Sequence, residues 1–221
     1  MTDTGRKLNI LVVEDDFATR RQIAGKLRTD SSIVVELAGN VAEAVEYLAS
    51  QRPHMILLDL GLPDGSGLSV IEAAKKLDPM PEILVLSSIK DEASVVAAIS
   101  AGAGGYVVKD SSESDLLDTV DMVMQGFSPL SPSIARFILR SFRKKEEISP
   151  QAQDTEYNLT AREQLVLTEI TRGSTYKKIS QRLEITEASV QSHVKQIYRK
   201  LGVNSRTQAM LKVSVYEPNP R

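Results

Sequence analysis

The 221-residue chain has no cysteine and only two histidines, His54 and His193. Disulfides, a thiol nucleophile and cysteine-ligated zinc are thereby excluded, and a histidine-rich metal site lacks its ligands. Any metal must be held by oxygen. No apolar run approaches the roughly 18 residues that span a bilayer, and the amino end "MTDTGRKLNI" lacks the apolar centre of a signal peptide. The sequence therefore reads as a soluble cytoplasmic protein with no membrane partner.

What is present is globular: 42% hydrophobic and 25% charged residues, enough for one large domain or two ordinary ones. The net charge of −2 conceals an asymmetry. Residues 1–140 carry 13 basic against 20 acidic groups, a balance of −7, whereas residues 159–221 carry 11 against 5, a balance of +6. Such a split implies two domains with different partners, the basic one suited to a polyanion.

Five short apolar runs, "LNILVV", "SIVVEL", "HMILL", "EILVL" and "GYVV", recur every twenty to thirty residues in the first half. Stretches of helical spacing separate them, such as Ala44, Val45 and Leu48, capped by Asn40. Strands that are apolar throughout, alternating with helices, predict a parallel sheet covered on both faces, a doubly wound (βα)5 domain over 1–127. Ile134, Phe137, Ile138 and Phe142 predict a further helix within 128–158, before a polar tether from Arg143 to Asn158. From Leu159 to the end the pattern is wholly helical. Thr160 and Glu163 have capping-box spacing, Gly173 stops that helix, and three more helices follow at close quarters.

In an open parallel sheet, ligands gather beyond the carboxyl ends of the strands. The runs end there in Glu14 and Asp15, in Asp59, in Ser87 and Ser88, and in Lys109. Crowded carboxylates repel one another unless a cation joins them, and an oxygen-only set suits Mg²⁺. A carboxylate beside that ion can attack a phosphoryl group, with metal, lysine and hydroxyl sharing the charge that develops. On this reading Asp59 is the nucleophile, Glu14 and Asp15 hold the metal, Lys109 pairs with a phosphoryl oxygen and Ser87 donates a hydrogen bond. Pro63, Gly65 and Gly67 let the chain turn so that the carbonyl near Gly61 faces the metal. A flavin-binding version of the fold would need a Ser/Thr/Gly-rich anion loop where "EDDFATR" is acidic. An aspartyl-phosphate hydrolase would want its nucleophile after the first strand.

Residues 8 to about 125 resemble a two-component receiver domain, of flavodoxin-like fold, through "VVED", "LLDLGLPDGSG", "VLSS" and "AGAGGYVVKD" in order. The resemblance implies Asp59 as phospho-acceptor, Glu14, Asp15, Asp59 and Gly61 around Mg²⁺ or Mn²⁺, Lys109 as the invariant lysine, and Ser87 with Tyr106 as a switch pair. Ser87 stands where Thr is also common. Asp110 replaces a frequent proline, which leaves the isomer of the Lys109–Asp110 bond open.

In the basic half, Val190, Val194, Ile197 and Leu201 form one apolar stripe on the third helix. Ala188, Ser192, Lys195 and Arg199, flanked by Gln191 and Gln196, share the opposite face and suit phosphates and base edges. "LTAREQLVL", "ISQRLEIT", "SVQSHVKQIYRKLGV" and "SRTQA" resemble the LuxR-type tetrahelical helix-turn-helix domain, over 159–221. The resemblance implies base or groove contacts from Gln191, Ser192 and Lys195, and phosphate contacts from Thr175, Lys177, His193 and Arg199. Gln191 replaces the usual Lys and Lys178 the usual Glu, so base preference is expected to differ from relatives.

Together the halves resemble a NarL/FixJ-type response regulator. That implies a non-enzymatic transcription factor, at most slowly shedding its own phosphoryl group. Its partners would be a sensor histidine kinase, double-stranded DNA, a second copy of itself on phosphorylation, and RNA polymerase. A regulator with a vestigial receiver and a Mg²⁺-dependent phosphohydrolase fused to a helical module are the rival readings.

Overall fold

The computed structural model describes residues 7–89, 91–109, 116–138 and 157–214. Most of the expected tether, the Lys109–Asp110 bond and Phe142 lie outside these residues, as does the chain beyond Ser214.

Five parallel strands form the first domain's sheet: β1 (Leu8–Val13), β2 (Ile33–Ala38), β3 (Met55–Leu58), β6 (Glu82–Ser87) and β7 (Gly105–Val108), in spatial order β2-β1-β3-β6-β7. Between β3 and β6, the two-residue strands β4 (Gly61–Leu62) and β5 (Gly65–Ser66) pair antiparallel in a small hairpin that the sequence pattern did not predict. Helices α1 (Phe17–Leu27), α2 (Val41–Ser50), α3 (Leu68–Ala74), α4 (Glu92–Ala101) and α5 (Leu116–Met124) cover the two faces. The runs of β1, β3 and β6 are largely buried on both sides, as expected, whereas β2, at the border of the sheet, leaves Leu37 exposed. Leu11, Val13, Ile56 and Leu58 belong to one core, whereas Ile10, Val12, Met55 and Leu57 belong to the other. Each fully buried Leu, Ile or Val contributes roughly 1.5–3 kcal/mol.

Asn40 caps α2 as expected, accepting a hydrogen bond from the Glu43 amide at 2.8 Å. Asp64, at the tip of the β4–β5 hairpin, adds to that cap. Its carboxylate accepts from the amides of Val41 (2.8 Å) and Ala42 (2.9 Å), tying the hairpin to a helix 22 residues away. These bonds hold the Asp64 carboxyl below its usual range.

After α5 the chain runs along the outer edge of β7. The Tyr106 amide donates to the Pro129 carbonyl (2.9 Å), the Ser131 amide to the Tyr106 carbonyl (3.1 Å), and the Val108 amide to Ser131 Oγ (3.2 Å). The added helix, α6, occupies 132–138 within the described residues, and Ile134 and Ile138 enter the core that holds Leu11 and Ile56.

The second domain consists of α7 (Ala161–Thr171), α8 (Tyr176–Leu183), α9 (Glu187–Leu201) and α10 (Arg206–Ser214). The Thr160–Glu163 capping box is formed, and Gly173 takes the left-handed conformation that ends α7. Val190, Val194, Ile197 and Leu201 are all buried in a core shared with Val166, Ile170 and Ile179. This domain rests on the bottom of the sheet, away from the carboxyl ends of its strands. Arg206 donates to the Gly126 carbonyl and to those of Ile170 (3.0 Å) and Ser174 (2.9 Å), while Gln208 reaches the carbonyls of Ile99 (3.1 Å) and Ser100 (2.7 Å).

Candidate functional site

The parallel register brings the ends of β1, β3, β6 and β7 to one rim, and each delivers its polar residue. Asp59 leaves β3 with its amide still bonded to the Val13 carbonyl (2.9 Å), so the carboxylate projects from a fixed backbone. One oxygen, Oδ1, accepts from Ser87 Oγ (2.6 Å) and from the Gly61 amide (3.2 Å). The other, Oδ2, accepts from Lys109 Nζ, which also lies 2.6 Å from Glu14 Oε2. Gly67 secures the turn behind Asp59. A Cβ there would collide with the Asp59 carbonyl oxygen and lie 2.9 Å from Leu60 Cα, so the requirement for glycine is close approach and not a special dihedral angle.

Oxygens of Glu14, Asp15 and Asp59 come within 4.8 Å of one another. Burial raises the Glu14 carboxyl above its ordinary value despite the hydrogen bond and attraction of Lys109. Burial would lower Lys109, but its bonds to Asp59 and Glu14 outweigh that and hold it charged, above its ordinary value. One ammonium thus faces two buried carboxylates, with Asp15 more exposed beside them. Three hard oxygen donors of this kind fit Mg²⁺ or Mn²⁺.

Tyr106 lies behind Ser87. It is fully buried, its hydroxyl donates to the Ile89 carbonyl at 2.7 Å, and burial pushes its phenol up to about 12. The Tyr106 ring is thus packed into the core and not turned out to solvent. Ser87 is also fully buried and accepts from the Ile89 amide at 3.3 Å, so both side chains engage one loop.

Arg20 was not singled out in the sequence. Its guanidinium donates to the carbonyls of Glu14 and Asp15, the latter at 3.1 Å, and so pins the acidic turn. The clue was present in "EDDFATR": Asp16 caps α1 by accepting from the Thr19 amide (2.7 Å), and Arg20 falls one turn later on the same helix.

The expected nucleic-acid residues lie on the second domain, apart from this rim. Gln191, Ser192, Lys195 and Arg199 are exposed along one face of α9, and Lys177 is exposed on α8. His193 is half-buried beside them. Thr175 has a structural task as well, capping α8 by accepting from the Lys178 amide at 3.1 Å.

Residues 10–121 match the response regulator receiver domain, and residues 157–213 match the bacterial regulatory proteins of the luxR family. The DNA-binding transcriptional activator DevR/DosR of Mycobacterium tuberculosis is 34% identical, over 91% of this chain and 92% of its own. The nitrate/nitrite response regulator NarL of Escherichia coli is 31% identical, over 90% and 92%. Among solved structures, the response regulator RcsB in its DNA complex aligns with a TM-score of 0.54 over 96% of this chain and 100% of its own, at 20% identity, a likeness of fold.

Proposed function

The chain belongs to the response regulators of two-component systems, transcriptional regulators that join a receiver to a LuxR-type DNA-binding domain, and we propose that phosphorylation of Asp59 governs its DNA binding. The observation that carries this reading is the Lys109 ammonium held between Asp59 and Glu14, with Ser87 on the other Asp59 oxygen.

The donor is a sensor histidine kinase, whose phosphohistidine N–P bond breaks as an Asp59 oxygen bonds to phosphorus. Glu14, Asp15, Asp59 and the Gly61 carbonyl would hold Mg²⁺ or Mn²⁺, which when bound neutralises charge on the phosphoryl oxygens. Lys109 pairs with a phosphoryl oxygen, exchanging a carboxylate contact for it. The Ser87 hydroxyl, freed from Asp59, donates to the phosphoryl group, and Tyr106 remains packed behind it. The resulting change at the Ile89 loop biases an equilibrium between conformations. Slow hydrolysis of the acyl phosphate would reset the site.

Gln191, Ser192 and Lys195 read base edges in the major groove, while Thr175, Lys177, His193 and Arg199 bind the backbone phosphates. Two copies would read half-sites about one helical turn apart, in the cytoplasm, with RNA polymerase as the downstream partner. The test is the intact mass after incubation with Mg²⁺ and a small acyl phosphate. One phosphoryl adduct in the wild type, absent from Asp59→Asn, is expected. An adduct that persists in the variant would move the acceptor elsewhere.

A further inference from the structure

Gly61 carries two groups that the phosphoryl site needs, an amide on Asp59 Oδ1 at 3.2 Å and the carbonyl expected to face the metal, yet nothing in its own chemistry holds it there. It has no side chain to pack, and it is exposed. Its place is set by the backbone it pairs with, the β4–β5 hairpin, in which Gly61 lies opposite Ser66 and Leu62 opposite Gly65. A ladder this short is not stable in water by itself. Its form must be imposed by what surrounds it.

Three anchors impose it. At the base, the Gly67 amide donates to the Leu60 carbonyl at 3.0 Å and closes the loop that Asp59 opens. In the middle, Leu62 enters the core that holds Leu11 and Ile56. Neither constrains the tip. There Asp64 reaches across to α2, where its two carboxylate oxygens accept separately from the amides of Val41 and Ala42, and a Cβ on Gly65 would stand 3.7 Å from Val41 Cγ2. Two charge-assisted bonds to successive amides of a helix fix direction as well as distance.

The helix depends less on this tie than the hairpin does. Asn40 already caps α2 through the Glu43 amide, and the Val41 and Ala42 bonds lie at the surface, where water would replace the carboxylate. We propose that Asp64 is a positioning residue of the phosphoryl site, which by tying the hairpin tip to α2 fixes Gly61 and, through it, the Asp59 carboxylate. With the tie in place, the Gly61 amide and Ser87 hold Oδ1 while Oδ2 is left to Lys109, so the two oxygens are distinguished before any phosphoryl donor arrives. The effect of Asp64 on rate rests on Asp59 being the phospho-acceptor, whereas its effect on Gly61 belongs to the chain before any transfer.

Three variants of the full chain separate positioning from the capping of α2. Asp64→Ala cuts the tie, Asp64→Asn keeps one oxygen acceptor for one of the two amides, and Asn40→Ala removes the other cap of the same helix while leaving the tie intact. In metal-free Asp64→Ala the nitrogen-15 order parameter of the Gly61 amide should fall from the rigid range of about 0.85 toward about 0.6. Mn²⁺ added alone, followed by the spin resonance of the free ion, should bind about tenfold more weakly, the scale expected when a support behind metal ligands is removed. Uptake from an acyl phosphate should slow by about the same factor. Asp64→Asn should fall between the parent and Asp64→Ala in all three. Asn40→Ala should lower Tm at least as far as Asp64→Ala while leaving Gly61 order, Mn²⁺ affinity and uptake as in the parent. An Asp64→Ala chain with the parent's Gly61 order parameter and Mn²⁺ affinity would overturn this role. So would an Asn40→Ala chain that loses all three properties, since capping of α2 would then account for them. A parent that binds Mn²⁺ but gains no adduct would fail the acceptor reading of Asp59 alone, and Gly61 order with Mn²⁺ affinity would still decide the role of Asp64.

Discussion

Lys109 Nζ lies 2.6 Å from Glu14 Oε2 while also donating to Asp59, so a single side chain from the last sheet strand balances carboxylates from the first and third. In a weakly solvated site, removing one partner leaves charge uncompensated, and that omission usually costs more than the pair itself contributed. Lys109→Gln should therefore lower Tm in metal-free buffer, by a loss of about 1–3 kcal/mol after discounting for the partial exposure of the lysine. Added Mg²⁺ should restore more stability to the variant than to the wild type, because the ion no longer competes with an ammonium. Equal metal-induced shifts in Tm for the two proteins would contradict this account.

Gly67→Ala should damage the phosphoryl site without touching any charged group. The new methyl must displace the Asp59 backbone carbonyl or the chain at Leu60. Overpacking of this kind costs about 1–3 kcal/mol in denaturant unfolding. Uptake from an acyl phosphate should slow in parallel, since Asp59 is carried on the backbone that moves. Full uptake at the wild-type rate would show that the carboxylate is not held from behind.

Acid should weaken the second domain through Glu163. This buried carboxylate accepts from the Thr160 amide (2.7 Å) and pairs with Lys200 (2.6 Å); the Lys200 bond is the main reason its carboxyl is lowered to about 2. A depressed carboxyl stabilises the fold above its ordinary value of 4.5, and the contribution is lost as pH falls through the window down to about 2. Glu163→Gln should cost about 1–2 kcal/mol at neutral pH and flatten that acid limb, leaving the cap formed but the ion pair broken. A calorimetric series across pH reads both effects.

On DNA, the residues of α9 should separate by salt dependence. Lys195→Ala should weaken binding by about 1–3 kcal/mol and relax sequence preference if it meets a base edge. Arg199→Ala should instead weaken binding to all sequences and reduce the salt slope by about one unit, as expected of a phosphate contact. Equilibrium binding at several ionic strengths distinguishes them, and two variants indistinguishable from wild type would displace the reading face from this side of α9.

The site was legible because strand ends are a one-dimensional signal. Once apolar runs are aligned, Glu14, Asp59, Ser87 and Lys109 occupy equivalent places in the pattern, and a parallel sheet must bring equivalent places together. The stripe of Val190, Val194, Ile197 and Leu201 was legible for a similar reason, since helical period alone fixes which face is buried. Contacts between segments of unrelated register were not. Nothing in "PDG" says that Asp64 reaches Val41 and Ala42, and strands of two residues carry no periodicity. The fit of Tyr176 against Gly126 joins positions with no shared pattern, so only three-dimensional packing reveals it.

The chain that runs beside β7 has a further effect. An edge strand with free amides and carbonyls can recruit a strand from another molecule, and a sheet with two such edges can extend without limit. Here residues 129–131 already occupy the hydrogen-bonding groups of Tyr106 and the Val108 amide, which leaves β2 as the opposite border of the sheet. At the β7 border, the backbone groups of Tyr106 that would otherwise await a neighbouring strand are thus met from within the chain.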